Sequence, residues 1–472
     1  MDAKPALPLD VLELIVAELS SPSSSQQEIL ADLKAGRLVN RAFAQAFERH
    51  LFHSGSFTDL SETDAPGTKK RAETLLDVLT HRPRVANHVR RFTVTIGTSW
   101  HTDPSLPLIL DRLVALEVLE ITGKREGDDR AVKWTSMAAQ LRECVTKVVT
   151  EREGLRELVF ENIWEVPAVL IFGSWRLTKI ALHQATVEMG GENVVYSYGD
   201  HGSAVGVDQK VASLDLELSL KDFEGMWSCL SGHPNPAAFF GRLRSLTLVP
   251  HNESGVVLVG KIWDICGPYG KSLEEVDVRF PWLGVRCALG LFSLGCDTDF
   301  MHLSVTSVPL VLPTVKQLPA LRKLAVSFAH TIGVYDLKDT FKAVDLTKLR
   351  ELHVSFVEIF PYDEVTMDVY LFQSAKIFLP LLEGVNSPGH TSAGRSNHGG
   401  EGVAEAGKFE KLFLTFEVGK EARREEFPEV VRNGMGFDRL LAREEVCVRV
   451  IPMADPEDCF FYHEHDAATW RR

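Results

Sequence analysis

Apolar residues return along most of this chain in one short arrangement, apolar-x-x-apolar-x-apolar. It stands at Val89-Phe92-Val94, Leu116-Leu119-Ile121, Leu155-Leu158-Phe160, Leu177-Ile180-Leu182 and Val211-Leu214-Leu216. It returns at Leu243-Leu246-Leu248, Leu273-Val276-Val278, Leu321-Leu324-Val326, Leu349-Leu352-Val354 and Phe409-Leu412-Leu414. The last two apolar positions alternate with polar ones, the pattern of a strand with one buried face. Amphipathic stretches of helical period precede several copies: Leu75, Leu76 and Leu79 before Val89; Met137, Leu141, Val145 and Val148 before Leu155; Val256, Val259, Ile262 and Ile265 before Leu273. Helix and strand in alternation predict an α/β fold with parallel strands side by side and right-handed crossovers. The first eight intervals run from 22 to 48 residues and average near ~30, in the range of solenoid repeats with insertions. Each repeat then gains its stability from its neighbours.

The first 58 residues follow another rhythm. Pro8 suits the first turn of a helix, where its missing N–H leaves nothing unsatisfied. Leu9, Leu12, Ile15, Val16 and Leu19 then form one apolar stripe. Ser20–Ser25 breaks the pattern, and helix resumes near Gln26, running past Phe43 and Phe47 to Leu51-Phe52. Two or three short helices of this size bury little of their own surface and call for a partner. That partner is another subunit or the next part of the same chain.

Leu7-Pro8 opening a helix, Leu12 and Ile15 on its face, and then Leu38-Val39-Asn40-Arg41-Ala42-Phe43 resemble an F-box of the form common in fungal F-box proteins. Asp10 stands where that family usually has Glu, and Phe43 is the nearest substitute for its usual Trp. The tract behind it resembles, in arrangement more than in motif, the degenerate leucine-rich repeats that follow many F-boxes; the usual asparagine after the strand is missing in most copies. The resemblance implies a substrate-recognition subunit of an SCF-type cullin–RING ubiquitin ligase. Its apolar surface for the Skp-type adaptor, and through it cullin, is formed by Leu7, Pro8, Leu9, Leu12, Ile15, Leu38, Val39 and Phe43. The array would hold an unidentified protein target, without catalysis or cofactor of its own. The alternative is a ligase-independent interaction scaffold in which the same helices cap the array.

The expected organisation is a helical module over 1–58, an irregular leucine-rich-repeat-like α/β solenoid over 68–451, and a polar tail over 452–472. Glycine-rich, polar composition marks 190–206 as a loop and 384–407 as a disordered insertion. Phe437-Leu440-Leu441 and Val446-Val448-Val450 read as one helix and one strand that cap the C-terminal end.

Composition narrows the classes. A net charge of −14 opposes non-specific binding to nucleic acid or anionic membrane. The seven cysteines are scattered, odd in number and never spaced C-x-x-C, as expected of free thiols in a reducing compartment. Acids interrupt the early apolar stretch and no run of about 18 apolar residues follows, so neither a secretory signal nor a membrane span is read, and a cytoplasmic or nuclear location is expected. Asn252-Glu253-Ser254 is then a chance sequon.

Other chemistry is weak. Gly255–Ile262 matches the first part of a phosphate-binding loop, but Ile262 holds the place of the magnesium-binding hydroxyl, and the stretch reads as helix. His463-Glu464-His465-Asp466 has metal-binding residue types without a recognisable distant ligand. No G-x-S-x-G turn or matched Cys–His spacing points to a nucleophile. Trp134, Trp164, Trp175, Trp227 and Trp263 are expected mostly in the core, with one or two free to anchor a partner.

Overall fold

The structure, a computed structural model, describes residues 31, 34–35, 41–58, 65–97, 104–124, 132–174, 176–188, 213–220, 228–229, 236–250, 253–280, 318–329, 341, 349–359, 374–383, 409–418 and 437–452. The chain is α/β and forms two compact units, Met1–Glu217 with Glu224–Pro234, and Leu218–Phe223 with Asn235–Arg472. The sequence reading has one continuous array in their place. The glycine-rich segments, the tail and the His463–Asp466 cluster lie outside the described residues.

The first unit opens with helix α1 (Arg41–Leu51), strand β1 (Ser54–Thr58), α2 (Ala65–His81), the single turn α3 (Pro83–Ala86), β2 (Arg91–Ile96), α4 (Ser105–Arg112) and β3 (Val118–Gly123). It continues through β4 (Val132–Lys133), α5 (Ala139–Glu151), β5 (Glu157–Glu161), β6 (Ile163–Trp164), β7 (Val166–Pro167), α6 (Ala168–Phe172), β8 (Lys179–Ala185) and β9 (Val187–Glu188), and ends in β10 (Leu214–Leu220), part of which belongs to the second unit. Strands β1, β2, β3, β5 and β8 pair in that order, all parallel. Helix α2 packs beside α4, and α4 beside α5. Two short parallel ladders, β4 with β6 and β7 with β9, follow the ends of the main strands.

The second unit holds α7 (Pro236–Phe240), β11 (Leu243–Pro250), α8 (Glu253–Tyr269), β12 (Glu275–Phe280), β13 (Lys323–Ala329), β14 (Glu351–Ile359), helical residues 374–383, β15 (Lys411–Val418), α9 (Phe437–Leu441) and β16 (Val446–Pro452). Strands β11 to β16 pair consecutively and in parallel. The C-terminal helix and strand expected as a cap are present, and the strand continues the sheet in the same direction as its neighbours. Gly255–Ile262 lies inside α8, as its apolar interior requires.

The recurring triplet is the core. Every described residue of the ten copies is buried, from Val89, Phe92 and Val94 to Phe409, Leu412 and Leu414; Val211 lies outside the described residues. In most copies the first apolar residue precedes the strand, Leu243 opening β11 instead, and the other two point inward from the strand. Burying each leucine contributes about 1.5–3 kcal/mol. Aromatic rings extend the core: Phe356 stacks on Phe416 at 5.2 Å, and Trp134 meets Phe160 edge-on at 5.9 Å. Trp263 is fully buried and Trp164 half-buried, while Trp175 and Trp227 fall outside the described residues.

A main-chain device sets the register. The amides of Arg90 and Arg91 both donate to the His53 carbonyl, those of Glu117 and Val118 to Arg90, those of Arg156 and Glu157 to Glu117, and those of Thr178 and Lys179 to Arg156. The second unit repeats it: Arg322 and Lys323 donate to Glu274, Arg350 and Glu351 to Arg322, and Glu410 and Lys411 to Arg350. These bonds run from 2.7 to 3.1 Å. Each of these seven strands therefore starts at the same height as the one before it, and equivalent side chains fall into rows.

One boundary of the sequence reading moves. Ser54–Thr58, placed at the end of a helical module, is a strand parallel to β2, and the helix before it stops at Leu51. The reason is in the residues: Ser-Gly-Ser-Phe-Thr alternates and buries Phe57, and the His53 carbonyl accepts from the next repeat.

Candidate binding faces of the parallel strands

Leu7, Pro8, Leu9, Leu12, Ile15, Leu38 and Val39 lie outside the described residues, and Phe43 is in the first turn of α1. Phe47, one turn further on, is buried.

What the structure does assemble are the outward sides of the strands. Because side chains alternate across a strand, the positions between the buried ones form the opposite face. In the first unit the register aligns Arg91, Val118, Glu157 and Lys179 in one row, Thr93, Glu120, Val159 and Ala181 in the next, and Thr95, Thr122, Glu161 and His183 in a third. Arg91 Nη2 lies 3.1 Å from Glu120 Oε2, to which the Thr93 hydroxyl also donates at 3.1 Å. The Thr122 hydroxyl donates to Glu161 Oε2 at 3.1 Å. On β10, Glu217 is approached by Lys179 Nζ at 3.9 Å and His183 Nδ1 at 3.8 Å. Acids outnumber bases on this face, with Glu120, Glu157, Glu161, Asp215 and Glu217 against Arg91 and Lys179.

The ends of these strands turn sharply. Asn162, Glu165 and Gln184 take positive φ of 52°, 60° and 49°. A Cβ added to Gly123 would sit 2.4 Å from the Asn162 carbonyl oxygen, so only glycine fits where β3 passes that turn. Glu165 accepts from Lys133 Nζ at 2.6 Å and from the Thr135 hydroxyl at 2.8 Å, and these bonds hold its carboxyl below the ordinary range.

The face of the second unit has a different character. Its rows run Glu275, Lys323, Glu351, Lys411; then Asp277, Ala325, His353, Phe413, Cys447; then Arg279, Ser327, Ser355, Thr415, Arg449. Arg279 and Asp277 pair at 2.8 Å on β12. His353 stacks on Phe413 with centroids 4.3 Å apart and planes 16° from parallel. The Arg449 guanidinium lies 5.5 Å from the Phe413 ring centroid, within cation–π range. His353 Nε2 is 2.9 Å from Glu351 Oε2, a contact that takes the Nε2–H tautomer against an ionised carboxylate. Burial outweighs that carboxylate and holds the His353 imidazole below its ordinary pKa.

Sequence reasoning passed over His353, Phe413 and Arg449. The signal for Phe413 was present: it occupies the outward position of its copy, where Thr93, Glu120 and Asp277 stand in others. Burial pushes Cys144 up to about 11 and Cys266 up to about 12, so both stay protonated. Among the described residues, no group of three or more His, Cys, Asp or Glu side chains is arranged to hold a metal, and no described helix is long and apolar enough to cross a membrane.

Known protein families and curated proteins offer no counterpart: no family model matches this chain, and no curated protein resembles it at a significant level. The class that the fold defines is thus the coarse one, an α/β protein with extensive parallel sheet and outward strand faces rich in polar groups.

Proposed function

We propose that this chain is a non-catalytic substrate receptor of an SCF-type cullin–RING ubiquitin ligase. The F-box-like residues Leu7, Pro8, Leu9, Leu12, Ile15, Leu38, Val39 and Phe43 bind a Skp-type adaptor, and an irregular leucine-rich-repeat-like array holds a protein target on the outward faces of its strands. The observation that carries the reading is the repetition itself. The same buried triplet recurs copy after copy and the shared carbonyl recurs at seven strands, and polar and aromatic side chains occupy the opposite face of the strands. The resemblance of the first 55 residues to an F-box supplies the link to the ligase.

Co-expression of the full chain with a Skp adaptor and cullin tests this. The intact protein should co-purify with both. The pair Leu12→Asp with Ile15→Asp removes two apolar contacts worth about 1.5–3 kcal/mol each and should abolish the complex without changing the far-UV circular dichroism. Retention of the adaptor by the double variant would overturn the assignment of that surface.

One observation favours the second reading, a ligase-independent scaffold with a helical cap. Helix α1 runs into β1 within three residues, and the His53 carbonyl between them receives the amides of Arg90 and Arg91, which ties the end of the helical module to the sheet. Under this reading the intact chain captures no adaptor in the same experiment.

A further inference from the structure

Strand β16 is the last described strand in the sheet order, and its far edge meets no described neighbour. Main-chain bonds identify the groups at that edge. The Lys411 amide donates to the Arg350 carbonyl, so Lys411 faces β14; the Leu412 amide donates to the Glu445 carbonyl at 2.7 Å, so Leu412 faces β16. In a parallel sheet successive residues turn their amide and carbonyl to opposite neighbours. With Leu412 aligned on Val446, the main-chain groups of Cys447, Arg449 and Ile451 turn back to β15, and those of Val446, Val448 and Val450 turn away from it. The Val446 amide donates to the Arg443 carbonyl in the preceding turn, but among the described residues the Val448 and Val450 amides meet no acceptor on that side. Val446 and Val448 are half-buried, whereas the inward Leu412, Leu414 and Phe416 of β15 are fully buried. A valine-rich strand open along one side is a template for one more strand. The chain continues past Pro452, and its longest apolar run there is Cys459-Phe460-Phe461-Tyr462, behind the turn-initiating pair Asp455-Pro456.

We propose that Cys459–His463, which lies outside the described residues, adds to the free edge of β16 as an antiparallel strand and closes this end of the sheet. Connectivity selects the occupant. The five residues Met453–Glu457 join the two segments, within the usual length of a hairpin loop. A segment tethered so closely outcompetes a free peptide through its effective concentration. The register follows from the loop: with Pro452 opposite Asp458, Val450 stands opposite Phe460 and Val448 opposite Tyr462. These are the positions whose amides and carbonyls turn outward, so each pair exchanges two hydrogen bonds. Tyr462 then lies against the half-buried Val448, an aromatic–β-branched pair of the kind that stabilises sheets. Arg449 stands opposite Phe461. Its guanidinium is already 5.5 Å from the Phe413 centroid, and Phe461 supplies a ring on its other side. The inference goes beyond the ligase reading and does not depend on it. Its consequence is protection, since a covered edge offers no template for association between copies.

The test uses the full chain. In this register His463 faces Cys447 in a non-hydrogen-bonded pair, where Cα atoms are about 4.5 Å apart and a disulfide fits. In a Cys459→Ser background, mild oxidation should join Cys447 to the thiol introduced by His463→Cys within one chain. Glu464→Cys, on the other side of the added strand, should not form that link. Hydrogen exchange over residues 446–452, read by mass spectrometry, should be about tenfold or more faster in the Phe460→Asp, Tyr462→Asp double variant than in the parent. Unchanged exchange over Glu351–Ile359 shows that the sheet of the double variant stays folded. Equal exchange over 446–452 in the two proteins would overturn the proposal. So would a disulfide joining two chains, which gives the edge to a second copy, or equal linking by the two introduced thiols.

Discussion

His353 shows how one position carries both packing and electrostatics. Its ring is stacked on Phe413, bonded to Glu351, and set near Lys323 and Asp277 from the two preceding strands. Burial dominates and lowers its pKa, so the folded state resists protonation more than the unfolded chain does. The unfolded chain therefore binds more protons below about pH 6.5, and this group's contribution to stability is lost as pH falls from there through the depressed folded value. Replacing it by phenylalanine keeps a ring against Phe413 and removes the titration. His353→Phe should lose less stability than the parent protein between pH 7.5 and pH 5, measured by urea unfolding at each pH; an equal loss in both proteins would deny His353 a role in acid sensitivity. The Arg449–Phe413 contact, with Arg449 exposed, contributes on the order of 0.5–1 kcal/mol.

At the scale of elements, strands are held by main-chain bonds that begin at fixed positions. Glu157 donates its amide to the Glu117 carbonyl at 3.0 Å, in a strand flanked on both sides by parallel neighbours. Glu157→Pro removes that donor and forces a ring against β3, and should cost at least about 1–3 kcal/mol, while Glu157→Ala should be close to neutral; comparative thermal melting of the two variants decides this. Elements of this kind were legible in the sequence because the buried triplet has a period and the helices before it have another. Met137 to Val148 and Val256 to Ile265 fall in or beside α5 and α8 as their spacing requires. Strand β1 was missed because Ser54–Thr58 has a single buried apolar residue, Phe57, and follows a helix with only two residues between. The short ladders β4–β6 and β7–β9 were missed for a related reason: they depend on positive φ at Asn162, Glu165 and Gln184, which residue type signals weakly outside glycine.

For the whole molecule, the charge balance makes a direct prediction. With −14 overall, the chain should not retard double-stranded DNA in a gel at about 0.15 M salt, because too few phosphates can be neutralised to release counterions. Retardation at that salt would point to a basic surface outside the described residues. The division into two units was not legible: the triplet continues through Leu214-Leu216 and Leu243-Leu246-Leu248 without change. The candidate faces were half legible, since the pattern says which positions point outward but not which distant strands will stand beside one another to bring His353, Phe413 and Arg449 together. The shared carbonyl at the start of seven strands has an evolutionary corollary. Frame and message are written in separate alphabets: amides and inward leucines keep the scaffold aligned, so outward letters are at liberty to drift. New specificities can arise by changing a few of those letters, with no renegotiation of the architecture beneath them.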